Sequence, residues 1–213
     1  MNVTKKLIEL DERYKANMYR GQLDAESLWL FEDRKSRVVV SAPHATQTYI
    51  NNHIKKSDLY TGALAELLGH QTGCSVIVRQ KFVSETALIN DFVLRQNPDE
   101  HFFLDIHGMR ERPFDLAVGT GFMSAGEYLR PLTLIKELAE KYRIKMVINH
   151  PDYRGPWGLT GFYQSQFKKP GALQLEWRPE MRNFYHNAEN VTTRTLPFLD
   201  ELVRRLEDFF PVW

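Results

Sequence analysis

The chain has 213 residues, 43% of them hydrophobic and 26% charged, with 28 Lys and Arg against 27 Asp and Glu. Those figures suit one globular domain, 1–213, and exclude disordered, collagen-like and coiled-coil chains. A net charge of +1 argues against nucleic acid as a partner, because phosphate-neutralising proteins carry a basic excess. The single cysteine, Cys74, permits neither an internal disulfide nor a thiolate zinc site and fits a reducing, cytoplasmic location. The N-terminus lacks the apolar run of a signal peptide, and the longest apolar runs are far short of a membrane span, so no membrane partner is expected.

In chain order, an N-terminal helix over about 3–20 runs through Leu7, Leu10, Tyr14 and Met18. A strand follows at Arg37–Ser41. The stretch Asp58–Gln71 has a helical apolar face (Leu59, Ala63, Leu64, Leu67, Leu68) and a stop at Gly73. Strands are then predicted at Ser75–Arg79, His101–Ile106 and Asp115–Gly119, a helix over Gly126–Tyr142, and a strand at Lys145–Asn149. The Pro- and Gly-rich stretch 149–158 is an ordered loop, and Ala172–Trp177 is the last strand. An amphipathic helix over about 195–210 closes the chain, with Thr195 as N-cap and Pro197 in its first turn. Strands alternating with helices predict an α/β layer fold with a largely parallel sheet. In such folds ligands sit beyond the carboxyl ends of the strands.

Two histidines stand at strand ends beside small residues: His44 after RVVVSAP, next to Ala45, and His107 after HFFLDI, next to Gly108. They are either metal ligands in one crevice or loop histidines satisfied locally. Two His, one carboxylate and an open position make a common hydrolytic zinc site. Asp58 can be the carboxylate, or it can serve its helix as a cap. Gln47 and Glu85 are weaker ligand candidates. Asp105 points to the same strand face as His107 and can orient its ring. Glu176 is a lone carboxylate that an apolar strand delivers to its end; burial beside Trp177 suits it to general-base work, and an ion pair with Arg178 or Arg182 is the alternative. Arg154, in the loop, either grips a substrate carboxylate or is merely solvated.

SAPHA (41–45), LDIHG (104–108) and ALQLEW (172–177) resemble, in order and spacing, three signature blocks of the N-formylglutamate amidohydrolase family, and DYRG (152–155) resembles a loop of it. The match spans about residues 37–182. The resemblance implies a three-layer, mostly parallel mixed sheet flanked by helices, like that of zinc carboxypeptidases and phosphorylase/hydrolase-like proteins. It implies Zn²⁺ on His44, Asp58 and His107, with Glu176 as the general base. Arg154 and Arg178 are then expected to hold a substrate carboxylate, and Tyr163 to donate to the oxyanion. The implied activity is metal-dependent hydrolysis of the amide bond of a small-molecule substrate, an N-acyl amino acid or a small peptide. A carboxypeptidase-like peptidase acting on a small peptide or a poly-glutamate terminus, and a non-catalytic ligand-binding protein on the same scaffold, are the alternatives. The chain departs from its relatives at Gln47, where Glu is often found, at Asn90-Asp91-Phe92 in place of Asn-Arg-Pro, and at Gly108 in place of Ser.

Overall fold

The computed structural model describes residues 2–50, 52–83 and 100–209. Helix α1 (Val3–Tyr19) opens on an Asn2 side chain that accepts the Thr4 and Lys5 amides. Strands β1 (Trp29–Glu32) and β2 (Val38–Ala42) follow, then a small hairpin, β3 (Thr48–Ile50) and β4 (His53–Lys55). Helix α2 (Thr61–Thr72) leads to β5 (Ser75–Arg79), β6 (Phe102–Gly108) and β7 (Leu116–Gly119). Helix α3 (Leu129–Lys141), β8 (Met146–Ile148), α4 (Leu159–Phe167), β9 (Ala172–Trp177) and α5 (Leu196–Phe209) complete the order. Gly73, at φ 79°, stops α2 as expected.

Seven strands form one mixed sheet in the order β1-β5-β2-β6-β9-β7-β8. The block β5-β2-β6-β9 is parallel, β1 and β7 join it antiparallel, and β8 runs parallel to β7. The central strands are buried on both faces, so their side chains divide by strict alternation. Val38, Val40, Phe102, Leu104, Ile106, Leu173 and Leu175 point to one face, which α2, α3 and α5 cover to make the main core. Val39, Ile77, Phe103 and Ala172 point to the other, where Leu159 and Tyr163 of α4 cover them. Helices on both faces give the expected three layers.

Several expectations are corrected. The strand β1 and the hairpin β3–β4 were not foreseen: each is only three or four residues long, below the length at which alternation is legible. Helix α4 was also missed, because LTGFYQSQF carries a glycine and shows no apolar stripe of helical period. Thr195 is not an N-cap. Helical turns already run through 188–195, and its buried hydroxyl donates to the Met181 carbonyl instead. Met18 does not join the buried face of α1, since Asn17, Met18 and Tyr19 adopt left-handed backbone and leave it 82% exposed. Among the described residues no helix is long and apolar enough to cross a membrane.

Candidate functional site

Alternation along the central strands places a polar row at the carboxyl end of the α4 side. Ser41, Asp105 and Gln174 lie opposite one another across β2, β6 and β9, and His107 lies opposite Glu176 one pleat further on. The Ser41 hydroxyl donates to Asp105 Oδ1 at 2.8 Å, and His107 Nε2 meets Asp105 Oδ2 at 2.9 Å. A carboxylate behind an imidazole fixes both its orientation and its tautomer, leaving Nδ1 as the working nitrogen. Nδ1 points at Asp58 Oδ2, 3.1 Å away. Burial alone would lower the pKa of His107, but Asp105 beside it and the hydrogen bonds to both carboxylates push it up to about 10. Burial likewise works against an ionised Asp58, yet His107 and Lys55 hold it well below the usual carboxylate range.

Asp58 is not the cap of α2. Tyr60 holds that position with φ 76° and no side-chain cap bond, and the Thr61 hydroxyl donates to the Asp58 carbonyl at 2.7 Å. Left-handed backbone at a bulky residue costs on the order of 1–2 kcal/mol, here spent two residues from Asp58. The freed carboxylate also receives the Lys55 ammonium, 3.1 Å from each oxygen. The Asp58 amide donates to the His44 carbonyl at 2.7 Å, so the two segments are tied backbone to backbone.

His44 sits in the turn after β2. Its Nδ1 lies 3.0 Å from Thr48 Oγ1, whose own proton goes to the Thr46 carbonyl at 3.3 Å. The threonine oxygen therefore accepts from Nδ1–H and leaves Nε2 with its lone pair. Burial, with the Lys55 and His107 charges beside it, holds the ring neutral, the form that ligates metals. Glu176 is 8% exposed. Burial pushes its pKa up to about 6, against the pull of His107. Gln174 Nε2 donates to its Oε1 at 2.8 Å, and Oε2 has no hydrogen bond among the described residues.

Two imidazoles and a carboxylate are a donor set that zinc takes once His107 gives up the proton it shares with Asp58. On one tetrahedral zinc with bonds of about 2.0–2.1 Å, an oxygen and a nitrogen ligand stand about 3.4 Å apart and two imidazole centroids about 5 Å apart. The Asp58–His107 spacing is 3.1 Å and the His44–His107 ring centroids are 5.1 Å apart. The pairs fit. Among the described residues, however, no group of three or more His, Cys, Asp or Glu side chains converges as a metal cage, with the Lys55 ammonium lying on both Asp58 oxygens.

Two expected substrate residues have other partners in the structure. Tyr163 is fully buried against Phe103 and Phe167, and its hydroxyl donates to the His101 carbonyl at the amino end of β6, the wrong end for an oxyanion. The Arg178 guanidinium is committed to Asp115 at 2.9 Å and Glu180 at 3.1 Å. Gln47 donates through its amide and side chain to the carbonyls of Tyr19 and Met18 and braces the end of α1. Arg154 is exposed on a loop whose Gly155 lies against Gln174, and its guanidinium reaches the Met123 carbonyl at 3.4 Å. Glu85 and Asn90-Asp91-Phe92 lie outside the described residues. Arg182, weighed from sequence only as an ion-pair partner, instead donates to the carbonyls of Leu59, Met109 and Trp177. Nothing in local pattern marks an arginine that bonds backbone from three segments.

The fold is a seven-stranded, mostly parallel mixed sheet flanked by helices. Solved structures that share it include the following three. A bacteriophage poly-gamma-glutamate hydrolase has a TM-score of 0.57 at 14% identity, over 87% of this chain and 91% of its own. The N-formylglutamate amidohydrolase of Ralstonia eutropha JMP134 has a TM-score of 0.53 at 12% identity, over 85% of this chain and 97% of its own. The zinc-free apo form of YNDL has a TM-score of 0.52 at 16% identity, over 88% and 94%. At these identities the likeness is one of fold. No family model matches the sequence, and no curated protein matches it.

Proposed function

We propose that the chain is a zinc-dependent amidohydrolase acting on the amide bond of an N-acyl amino acid or a small peptide. One observation carries this reading: His44, Asp58, His107 and Glu176 come from four separate segments to the carboxyl end of the central strands, and the fourth is a carboxylate with its pKa raised to about 6. Zinc on His44, Asp58 and His107 would supply Lewis acidity toward a carbonyl and toward water. Glu176 takes the proton of the attacking water and returns it to the leaving nitrogen, the work for which a carboxylate poised near neutrality is suited. Gln174 holds one oxygen of Glu176 and leaves the other for that proton. Asp105 and Ser41 keep His107 oriented. With Arg178 and Tyr163 engaged elsewhere, Arg154 is the remaining candidate among the predicted residues for a substrate carboxylate.

Metal analysis of protein purified without a nickel column tests the reading. Near-stoichiometric zinc is expected, falling in His44→Ala and His107→Ala; a zinc-free wild type that cleaves no amide would sink it. Rates on N-formyl-, N-acetyl- and γ-glutamyl-glutamate then choose the substrate. The similarity in fold to a poly-gamma-glutamate hydrolase favours including the γ-linked peptide, the peptidase alternative.

A further inference from the structure

We propose that Arg182 is the positioning residue of this site and that Gly108 is glycine in order to admit it. The inference rests on the reading of the site just given and extends it to residues that never touch substrate. β9 ends at Trp177, and the single turn Pro179–Arg182 carries the arginine back over the end of β6. Its Nε donates to the Trp177 carbonyl at 3.1 Å, one guanidinium nitrogen to the Leu59 carbonyl at 2.7 Å, and the other to the Met109 carbonyl at 3.1 Å. Leu59 follows Asp58, Met109 is two residues past His107, and Trp177 follows Glu176. One rigid cation thus bolts together the three peptide segments whose side chains must converge.

Arginine is required for this geometry. Its planar fork presents several donors in fixed directions, whereas a lysine ammonium is a point donor on a flexible stem. The side chain is buried, and among the described residues it forms no ion pair with a carboxylate. Its charge nonetheless lies near enough to act on Asp58 and Glu176. A buried cation answered only by carbonyl dipoles is an uneconomical way to hold a fold together, which points to the site as its reason.

Gly108 supplies the room. Its backbone is not left-handed, so conformation does not demand glycine there; a Cβ would meet Arg182 Cζ and Nε at 2.7 Å. The Gly108 that departs from the serine of the resembled family is the complement of Arg182.

The test is a double-mutant cycle of Gly108→Ser and Arg182→Met, read first as zinc affinity by chelator competition at a temperature where each variant is folded, then as kcat and KM. Arg182→Met is expected to lose about 10–100-fold in zinc affinity and in kcat, the scale for groups that orient metal ligands, with KM little changed. Arg182→Lys should recover only part of the loss. Gly108→Ser should cost a similar factor alone but less than about threefold on top of Arg182→Met, as expected for residues in contact. Folded Arg182→Met with wild-type zinc affinity and kcat, or a cycle in which the two losses simply multiply, would overturn the proposal. Should Arg182→Met not fold, Gly108→Ser and Arg182→Lys decide it, and wild-type zinc affinity and kcat in both would overturn it. These failures leave the proposed function standing; a wild type with neither zinc nor amide turnover removes both.

Discussion

The two faces of the central sheet are made by the same strands, yet alternate residues serve opposite ends. On one face Val40, Leu104, Ile106 and Leu175 pack against α2, α3 and α5 without a polar atom among them. On the other, the amino half is equally apolar under α4, but the carboxyl half carries Ser41, Asp105, His107, Gln174 and Glu176. Both are buried. The apolar face gains stability from area removed from water. The polar half must answer every buried charge with a partner, and does so through Asp105–His107–Asp58, Gln174–Glu176 and the Arg182 carbonyl bonds. The difference teaches that burial here has two uses: it creates cohesion where side chains are apolar and shifts proton affinity where they are not.

Substituting one residue on each face breaks the comparison most directly. Glu176→Gln, isosteric and uncharged, should keep the fold and zinc while kcat falls about 10²–10⁴-fold; hydrolysis at the wild-type rate would remove Glu176 from the chemistry. Leu175→Ala, its neighbour on the opposite face, should do the reverse. A loss of about 2–5 kcal/mol in denaturant unfolding is expected, with kcat per folded molecule within a few-fold of wild type.

Another buried carboxylate sharpens the contrast. Asp11 on α1 is raised from 3.8 to about 6, chiefly by burial, against the hydroxyls of Tyr185 and Tyr19, and its Oδ1 has no hydrogen-bond partner. Because its folded pKa lies above the unfolded one, the stability that its proton confers is present below about pH 4 and lost as the pH rises through 6. Asp11→Asn should therefore stabilise the chain at pH 7, by about 1–3 kcal/mol, with an advantage that shrinks as the pH falls toward 4. Parallel urea titrations across that range check it. Glu176 has the same raised pKa, but there removal of the charge should register in turnover. The smallest effect is expected at Lys55, whose partly exposed ammonium lies on both Asp58 oxygens and would compete with a metal for them. Lys55→Met should tighten zinc binding about two- to fivefold in chelator competition, the scale of a partly exposed ion pair; weaker binding would show that Lys55 supports the site instead.

Much of this was legible before folding. The strands Ser75–Arg79 and Ala172–Trp177 were read residue for residue, and β2, β6, β7 and β8 to within one or two residues. Runs rich in β-branched and aromatic residues carry that signal locally. The same local reading cannot choose where one residue type serves two ends. Tyr163 and Arg178 have chemistry suited to substrate, but a tyrosine ring on α4 fills the apolar half of its face, and an arginine one residue past β9 finds Asp115. Asp58 went the other way: a residue with the look of a cap gave its carboxylate to His107, because Tyr60 takes the cap position.

By itself the sequence determined six of the nine described strands and most helices, the apolar alternation, and the strand-end positions of His44, His107 and Glu176, since all of these follow from period, propensity and chain order. Tertiary structure alone decided which strand ends meet. The order β5-β2-β6-β9 and its register set His107 beside Glu176 and Asp105 beside Ser41, and the turn after β9 returned Arg182 to Gly108. Those contacts join residues 64 to 74 positions apart. At such separations no local propensity acts, and only sheet pairing and close packing choose the partner.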